Sequence, residues 1–193
     1  MNLRQLPNAI TIARMLAVLP LVWCLHHGEY RAALAIALLA GLSDGIDGWL
    51  AKRYGWRTRL GGLLDPLADK LLLDASFIGL WLAHAVPTWL LLLVLGRDLV
   101  IVAGASAYHF LIGPLKGQPS WLGKATTVVQ IALVVCLLAL LAWQNSSGQG
   151  SATGLQWTLV GVWIVALFTL ASGVDYVLRW GVRTRDALRA RQQ

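Results

Sequence analysis

The sequence is short of charge. Of its 193 residues only 13% are Asp, Glu, Lys or Arg, where a soluble domain of this size carries about a quarter. Hydrophobic residues make up 58% and the mean hydropathy is +0.65, which leaves too few polar side chains to cover a water-facing surface. Cysteine is scarce too. Cys24 and Cys136 both sit inside apolar stretches, which excludes a disulfide framework or a zinc spacing and predicts two buried packing residues. His26, His27, His84 and His109 show no metal-ligand spacing, and the first three are expected at the surface. No repeat of fixed period is visible. The first apolar run starts near Leu6 and is followed by no small-residue cleavage site, so it is expected to remain as a span and not to be removed as a signal.

What the chain has in place of charge is a series of long apolar runs. A helix needs ~20 mostly apolar residues to cross ~30 Å of hydrocarbon. Six stretches meet that length: Leu6–His26, Arg31–Ala51, Gly61–Ala85, Thr88–Ile112, Ala125–Trp143 and Leu155–Leu178. The expected fold is all-α, a six-helix transmembrane bundle forming a single domain over residues 1–193. A basic tail, 179–193, lies along the inner surface or frays. Gln144–Gln156 reads as a flexible Gly/Ser-rich outer loop.

The net charge of +7 and pI near 10.0 raise the question of nucleic acid. The placement of the charges answers it. Lys52, Arg53, Arg57 and Arg59 follow the second run, Lys116 and Lys124 separate the fourth and fifth, and Arg179, Arg183, Arg185, Arg189 and Arg191 follow the sixth. Ala83–Pro87 and Gln144–Gln156 carry no charge, and the connection around His27–Arg31 carries one of each sign. Basic and neutral connections alternate, as the positive-inside rule requires. Both termini are then cytoplasmic, and the basic charge is an orientation signal and a contact for anionic lipid, with no nucleic-acid partner. Trp23, Trp81, Trp89, Trp121, Trp143, Trp157 and Trp180 fall near expected span ends, where an amphipathic ring suits the headgroup zone.

Against this background the acidic residues are misplaced. Asp44, Asp47, Asp65, Asp69, Asp74, Asp98 and Asp175 all fall inside expected spans, where even low figures put a carboxylate at mid-membrane at ~2.5–3.5 kcal/mol. They must be paired, bound to metal, or facing a wet cavity. Asp44 and Asp47 are three apart and Asp65 and Asp69 four apart, so each pair shares a helix face. Both pairs lie near the cytoplasmic ends of antiparallel neighbours and are able to converge at one depth. Four converging carboxylates repel unless cations neutralise them. Hard oxygen ligands suit Mg²⁺, Mn²⁺ or Ca²⁺, and two divalent ions would balance the charge and match chemistry in which metals clamp a phosphate. Gly45, Gly48, Gly61 and Gly62 flank the pairs. They leave room for a ligand, or let the helices pack closely.

Read from Asp44 to Asp69, the sequence is D-x2-D-G-x2-A-K-x8-G-x3-D-x3-D. It resembles the signature of the CDP-alcohol phosphatidyltransferases, with one departure: Lys52 stands where the family usually has arginine, keeping the charge but losing the two-pronged fork for phosphate. The resemblance implies Asp44, Asp47 and Asp65 as metal ligands, with Asp69 as ligand and general base. It implies Gly48, Ala51 and Lys52 lining a CDP pocket, with Gly61 in the same signature. It further implies two Mg²⁺ or Mn²⁺ ions, attack of an alcohol on the lipid-side phosphorus of CDP-diacylglycerol, and release of CMP. A homodimer in a bacterial inner membrane, open at the cytoplasmic leaflet, completes the expectation.

Other charged or polar residues extend the candidate site. Asn8, Thr11 and Arg14 are spaced by threes on the first span, hence on one face. The resemblance extends to this run and brings it toward the nucleotide, although Asn8 equally suits a helix cap. Arg97 is a candidate for an acceptor phosphate or for an ion pair with another helix. Its neighbour Asp98 diverges from it by about 100° on a helix, so the two are not expected to pair. Lys124 leads into the fifth span as a further substrate-binding candidate. Asp175 and Arg179, four apart, are expected to pair.

The acceptor is open between phosphatidylglycerol, as in CMP-forming cardiolipin synthases, and glycerol 3-phosphate, as in phosphatidylglycerophosphate synthases. Gly96-Arg97-Asp98 resembles the former, since the latter commonly has Arg-Glu. A small membrane transporter accounts for intramembrane aspartates equally well, but not for the glycine and alanine spacing.

Overall fold

The computed structural model describes residues 6–55, 59–111, 120–147 and 152–190, and all six elements are α-helices. They are α1 Leu6–His26, α2 Tyr30–Tyr54, α3 Arg59–Leu82, α4 Thr88–Leu111, α5 Trp121–Ser147 and α6 Ala152–Ala190. Each contains one of the six expected spans almost whole. The basic stretch after Leu178 continues α6 to Ala190. Helix also takes in Gln144–Ser147 at the end of α5.

Local chemistry sets the helix ends. Ser120 precedes α5 and its Oγ accepts the Gly123 N–H at 3.0 Å, an N-cap that satisfies one orphan donor of the first turn. At the end of α1, Gly28 takes φ +76 while its N–H bonds Leu25 and that of Glu29 bonds Cys24. This pair of bonds is a Schellman closure, and glycine adopts its left-handed residue without strain. The end of α3 repeats the pattern with His84 at φ 56 in the left-handed position. His84 is exposed, as are His26 and His27.

The helices group into two compact units. One comprises α1, α2, α3 and α5 from Val134; the other comprises α4, α5 through Leu133 and α6 from Trp157. In the first unit α1 packs along both α2 and α3, which touch each other far less. Thr11, Arg14, Leu21 and Leu25 form the buried stripe of α1, at intervals of three, seven and four that keep one helix face. Gly79 admits α1 closely, since an added Cβ there would overlap the Leu25 side chain. The other face of α1 exposes Ile12, Leu16, Leu19 and Trp23.

In the second unit a polar seam joins α5 to α6. Thr126 Oγ lies 2.7 Å from the Leu122 carbonyl of its own helix and 3.1 Å from that of Phe168, while Gln130 Nε2 donates to Thr169 Oγ at 3.3 Å. Tyr176 donates to the Ile101 carbonyl at 2.8 Å, its ring seated where Gly104 of α4 lacks a side chain. Such satisfied polar contacts between helices are the usual substitute for a hydrophobic drive in lipid.

Five helices contain windows long and apolar enough to cross a membrane: α1, α2, α4, α5 and α6. The long helix α3 falls outside that set because Asp65, Asp69, Lys70 and Asp74 interrupt its apolar residues. Large apolar side chains are exposed along every one of the six helices, far more than a water-soluble monomer tolerates. The chain is an integral membrane protein. Cys24 is buried as expected, but Cys136 is exposed. Leu133, Val134, Leu137 and Leu138 define the buried face of α5, and position 136 falls on the opposite side.

Candidate active site

The four signature aspartates come together in the first unit, and what joins them is α1. Arg14 has a fully buried side chain that makes three ion pairs. Its Nη1 lies 2.8 Å from Asp44 Oδ1 and 2.5 Å from Asp69 Oδ1, and its Nη2 lies 2.7 Å from Asp47 Oδ2. The fourth carboxylate, Asp65, accepts the Thr11 hydroxyl at 2.8 Å. One turn of α1, from Thr11 to Arg14, thus touches both aspartates of α2 and both of α3.

Sequence reasoning expected bound cations to be what neutralises this cluster. The structure adds a cation supplied by the protein itself, Arg14. The signal was present, because an arginine inside an apolar run must find carboxylates or leave the hydrocarbon. Arg14 is nevertheless only one charge against four, so three negative charges are left over if all four carboxylates are ionised. Asp47 is buried with 3% of its side chain exposed, whereas Asp44 and Asp69 keep 45% and 50%. The cluster therefore has a buried side and an accessible side.

Gly45, Gly48 and Gly62 bear on the two readings of the glycines. A Cβ added at any of the three would meet nothing within 4 Å. Among the described residues no neighbouring helix fills these gaps, which leaves open space at these three positions on the helices that carry the carboxylates. Gly61 is buried in the first turn of α3, and Asn8 is half-buried on α1, one turn before Thr11. Ala51 and Lys52 belong to the last turns of α2, but their side chains lie outside the described residues.

The donor set fits divalent metal by its chemistry: hard carboxylate oxygens, a surplus of negative charge, an accessible side and room beside it. Among the described residues no three acidic, His or Cys side chains are already disposed around a single ion position. Asp44, Asp47, Asp65 and Asp69 are the residues that would hold it.

Arg97 and Lys124 lie in the second unit. Arg97 does pair with its neighbour, against expectation: Nη1 reaches Asp98 Oδ1 at 2.7 Å, and Nη2 donates to Ser172 at 2.6 Å. The two Cβ atoms diverge, but the long arginine stem bends the guanidinium round to a carboxylate that has 7% exposure and would be costly unpaired in hydrocarbon. Gly123, at the start of α5, passes close to the same guanidinium; a Cβ there would lie 3.5 Å from Nη2. Lys124, the next residue, is exposed. Arg97 also borders a mainly apolar cavity of about 430 Å³ between α4 and α6. Asp175 and Arg179 pair as expected, at 2.6 Å.

Comparison with known proteins agrees with the signature. Residues 4–171 match the family model described as CDP-alcohol phosphatidyltransferase. The chain is 33% identical over 187 residues to a cardiolipin synthase (CMP-forming) of Streptomyces coelicolor, covering 90% of this chain and 81% of that protein. It is 34% identical over 187 residues to a probable phosphatidylglycerophosphate synthase of Mycobacterium tuberculosis, covering 92% and 82%. A chloroplastic CDP-diacylglycerol–glycerol-3-phosphate 3-phosphatidyltransferase of Oryza sativa subsp. japonica is 31% identical over 193 residues, 91% of this chain but only 57% of that longer protein. With four aspartates on one arginine and one threonine, and a family match over most of its length, the chain belongs to the CDP-alcohol phosphatidyltransferases.

Proposed function

We propose that this chain transfers the phosphatidyl group of CDP-diacylglycerol to an alcohol acceptor, releasing CMP, and that the acceptor is phosphatidylglycerol. The observation that carries the reaction is the convergence of Asp44, Asp47, Asp65 and Asp69 beside the open space at Gly45, Gly48 and Gly62. When bound, Mg²⁺ or Mn²⁺ at these carboxylates supplies positive charge to the diphosphate. Gly48, Ala51 and Lys52 line the nucleotide side, with Gly61, Asn8 and Thr11 close to it.

In the reaction the acceptor hydroxyl oxygen bonds to the phosphorus that carries diacylglycerol. The bond from that phosphorus to the CMP oxygen breaks, and the hydroxyl proton leaves to a base. Asp69 suits that role. Its side chain is half exposed, slightly more than that of Asp44, and Arg14 holds one of its oxygens while the group stays open to an incoming alcohol. Asp47, held against Arg14 in the interior, has no such access.

The acceptor reading rests on Arg97-Asp98, which resembles the pattern of cardiolipin synthases. Glycerol 3-phosphate is the second reading, favoured by the comparable identity to the mycobacterial protein. The alternation of basic and neutral connections supports cytoplasmic termini, and with them a site opening at the inner leaflet, in our reading that of a bacterial inner membrane. The chain functions as one membrane domain and assembles as a homodimer. The deciding experiment measures CMP release from CDP-diacylglycerol by purified protein with Mg²⁺, offering phosphatidylglycerol, glycerol 3-phosphate, serine and inositol separately. CMP with phosphatidylglycerol alone supports the first reading. CMP with glycerol 3-phosphate alone moves the chain to the second, and none with any acceptor rejects both.

A further inference from the structure

Arg14 is an odd resident for a site built to collect cations. Its side chain has no exposure, so it is not a surface group folded in by chance. It bonds carboxylates from two helices, with Nη1 shared between Asp44 and Asp69 and Nη2 given to Asp47. Its Nε is buried with no hydrogen-bond partner, so every polar contact of the guanidinium is spent on the aspartates. Arginine does not lose its proton in proteins, so this charge is permanent. Asp65 accepts from a neutral group, the Thr11 hydroxyl.

We infer that Arg14 is the standing counter-cation of the tetrad, and that a divalent ion entering the site competes with its guanidinium for the same carboxylate oxygens. The inference rests on reading these four aspartates as metal-holding residues, and it adds a residue that sets how tightly they do so. The physical argument has two parts. Each oxygen that accepts an Nη hydrogen has a lone pair directed away from any metal. A fixed positive charge within hydrogen-bond distance of the ligands also repels an incoming dication. Arg14 thus weakens the site for metal while holding α2 and α3 onto α1 when the carboxylates have no other cation.

The two effects run in opposite directions in one variant, which makes them testable. In Arg14→Gln the competitor is gone and the three carboxylates lose their partner. Mn²⁺ binding, read by electron paramagnetic resonance titration of the full detergent-solubilised chain without lipid substrate, should tighten about tenfold or more. The unfolding temperature in chelator should fall, and the rise produced by Mn²⁺ should exceed that of the wild type. Arg14→Lys keeps the charge but one ammonium cannot reproduce a fork across two helices, so its Mn²⁺ affinity should lie between the other two. Should the glutamine variant fail to fold, the lysine variant decides alone. Equal or weaker Mn²⁺ binding in the folded variants overturns the inference, as does absence of Mn²⁺ binding from wild type and variants together. CMP release by the wild type reports separately on the reaction. Tightened Mn²⁺ binding in a chain that makes no CMP would keep the inference and lose the proposed activity, and the reverse result would do the opposite.

Discussion

Arg14 Nη2 and Asp47 Oδ2 stand 2.7 Å apart with both side chains buried, and this pair is the closed end of the aspartate cluster. The other two partners of Arg14, Asp44 and Asp69, are about half exposed. Removing one partner of a buried pair typically costs about 3–5 kcal/mol, whereas an exposed pair contributes about 1 kcal/mol or less. Asp47→Ala should therefore destabilise the chain far more than Asp44→Ala or Asp69→Ala, because relief of repulsion within the cluster is shared by all three. Thermal unfolding of the three variants in detergent with chelator gives the order. A smaller loss for Asp47 than for Asp69 would mean that burial does not govern this cluster.

Gly48 separates folding from ligand binding. An added Cβ meets no atom within 4 Å, and alanine is favoured over glycine in a helix by up to about 1 kcal/mol. Gly48→Ala should leave stability unchanged or raise it, and should weaken CDP binding several-fold if the open space belongs to the nucleotide. Calorimetric titration with CDP and Mg²⁺, beside an unfolding curve, reads both. Unaltered CDP affinity would mean the nucleotide lies elsewhere.

The sequence made the helices and the convergence legible because both follow from periodicity. Apolar runs of about twenty residues fix spans, and spacings of three and four put Asp44 with Asp47 and Asp65 with Asp69. What periodicity does not carry is which helix lies between which. The aspartate helices were expected to meet each other, yet α1 is the main partner of both, and so Arg14 reaches three of the four carboxylates. Arg97 shows a different limit. Helical angles describe where Cβ points, and a guanidinium on a flexible stem can still turn to its neighbour Asp98. Cys136 was misplaced because an apolar run says nothing about which of its faces meets protein and which meets lipid.

Lys52 takes the place of the family's arginine in the signature. Lysine offers a point charge to the diphosphate, and arginine a fork that holds two oxygens at once. Lys52→Arg should retain or raise activity, and Lys52→Ala should lose most of it with a higher KM for CDP-diacylglycerol. An unchanged KM in the alanine variant would remove Lys52 from the nucleotide pocket.

Asp69 separates catalysis from binding. Asparagine keeps the size of the side chain and an oxygen able to accept the Arg14 hydrogen bond, but it takes no proton at neutral pH. Arg14 would still pair with Asp44 and Asp47, so the cluster should keep its form, and the position is half exposed, so stability should change little. Loss of a general base typically lowers rate by ~10²–10⁴-fold. Asp69→Asn should therefore lower kcat by about that factor while leaving much of the affinity for CDP-diacylglycerol, whereas Asp44→Asn and Asp47→Asn should weaken Mg²⁺ and nucleotide binding together. Measuring turnover and Mg²⁺-dependent CDP binding for each variant gives the comparison. If Asp69→Asn turned over at the wild-type rate, the proton would have to leave by another group. Asp44, whose side chain is nearly as exposed, would then be the next residue to test.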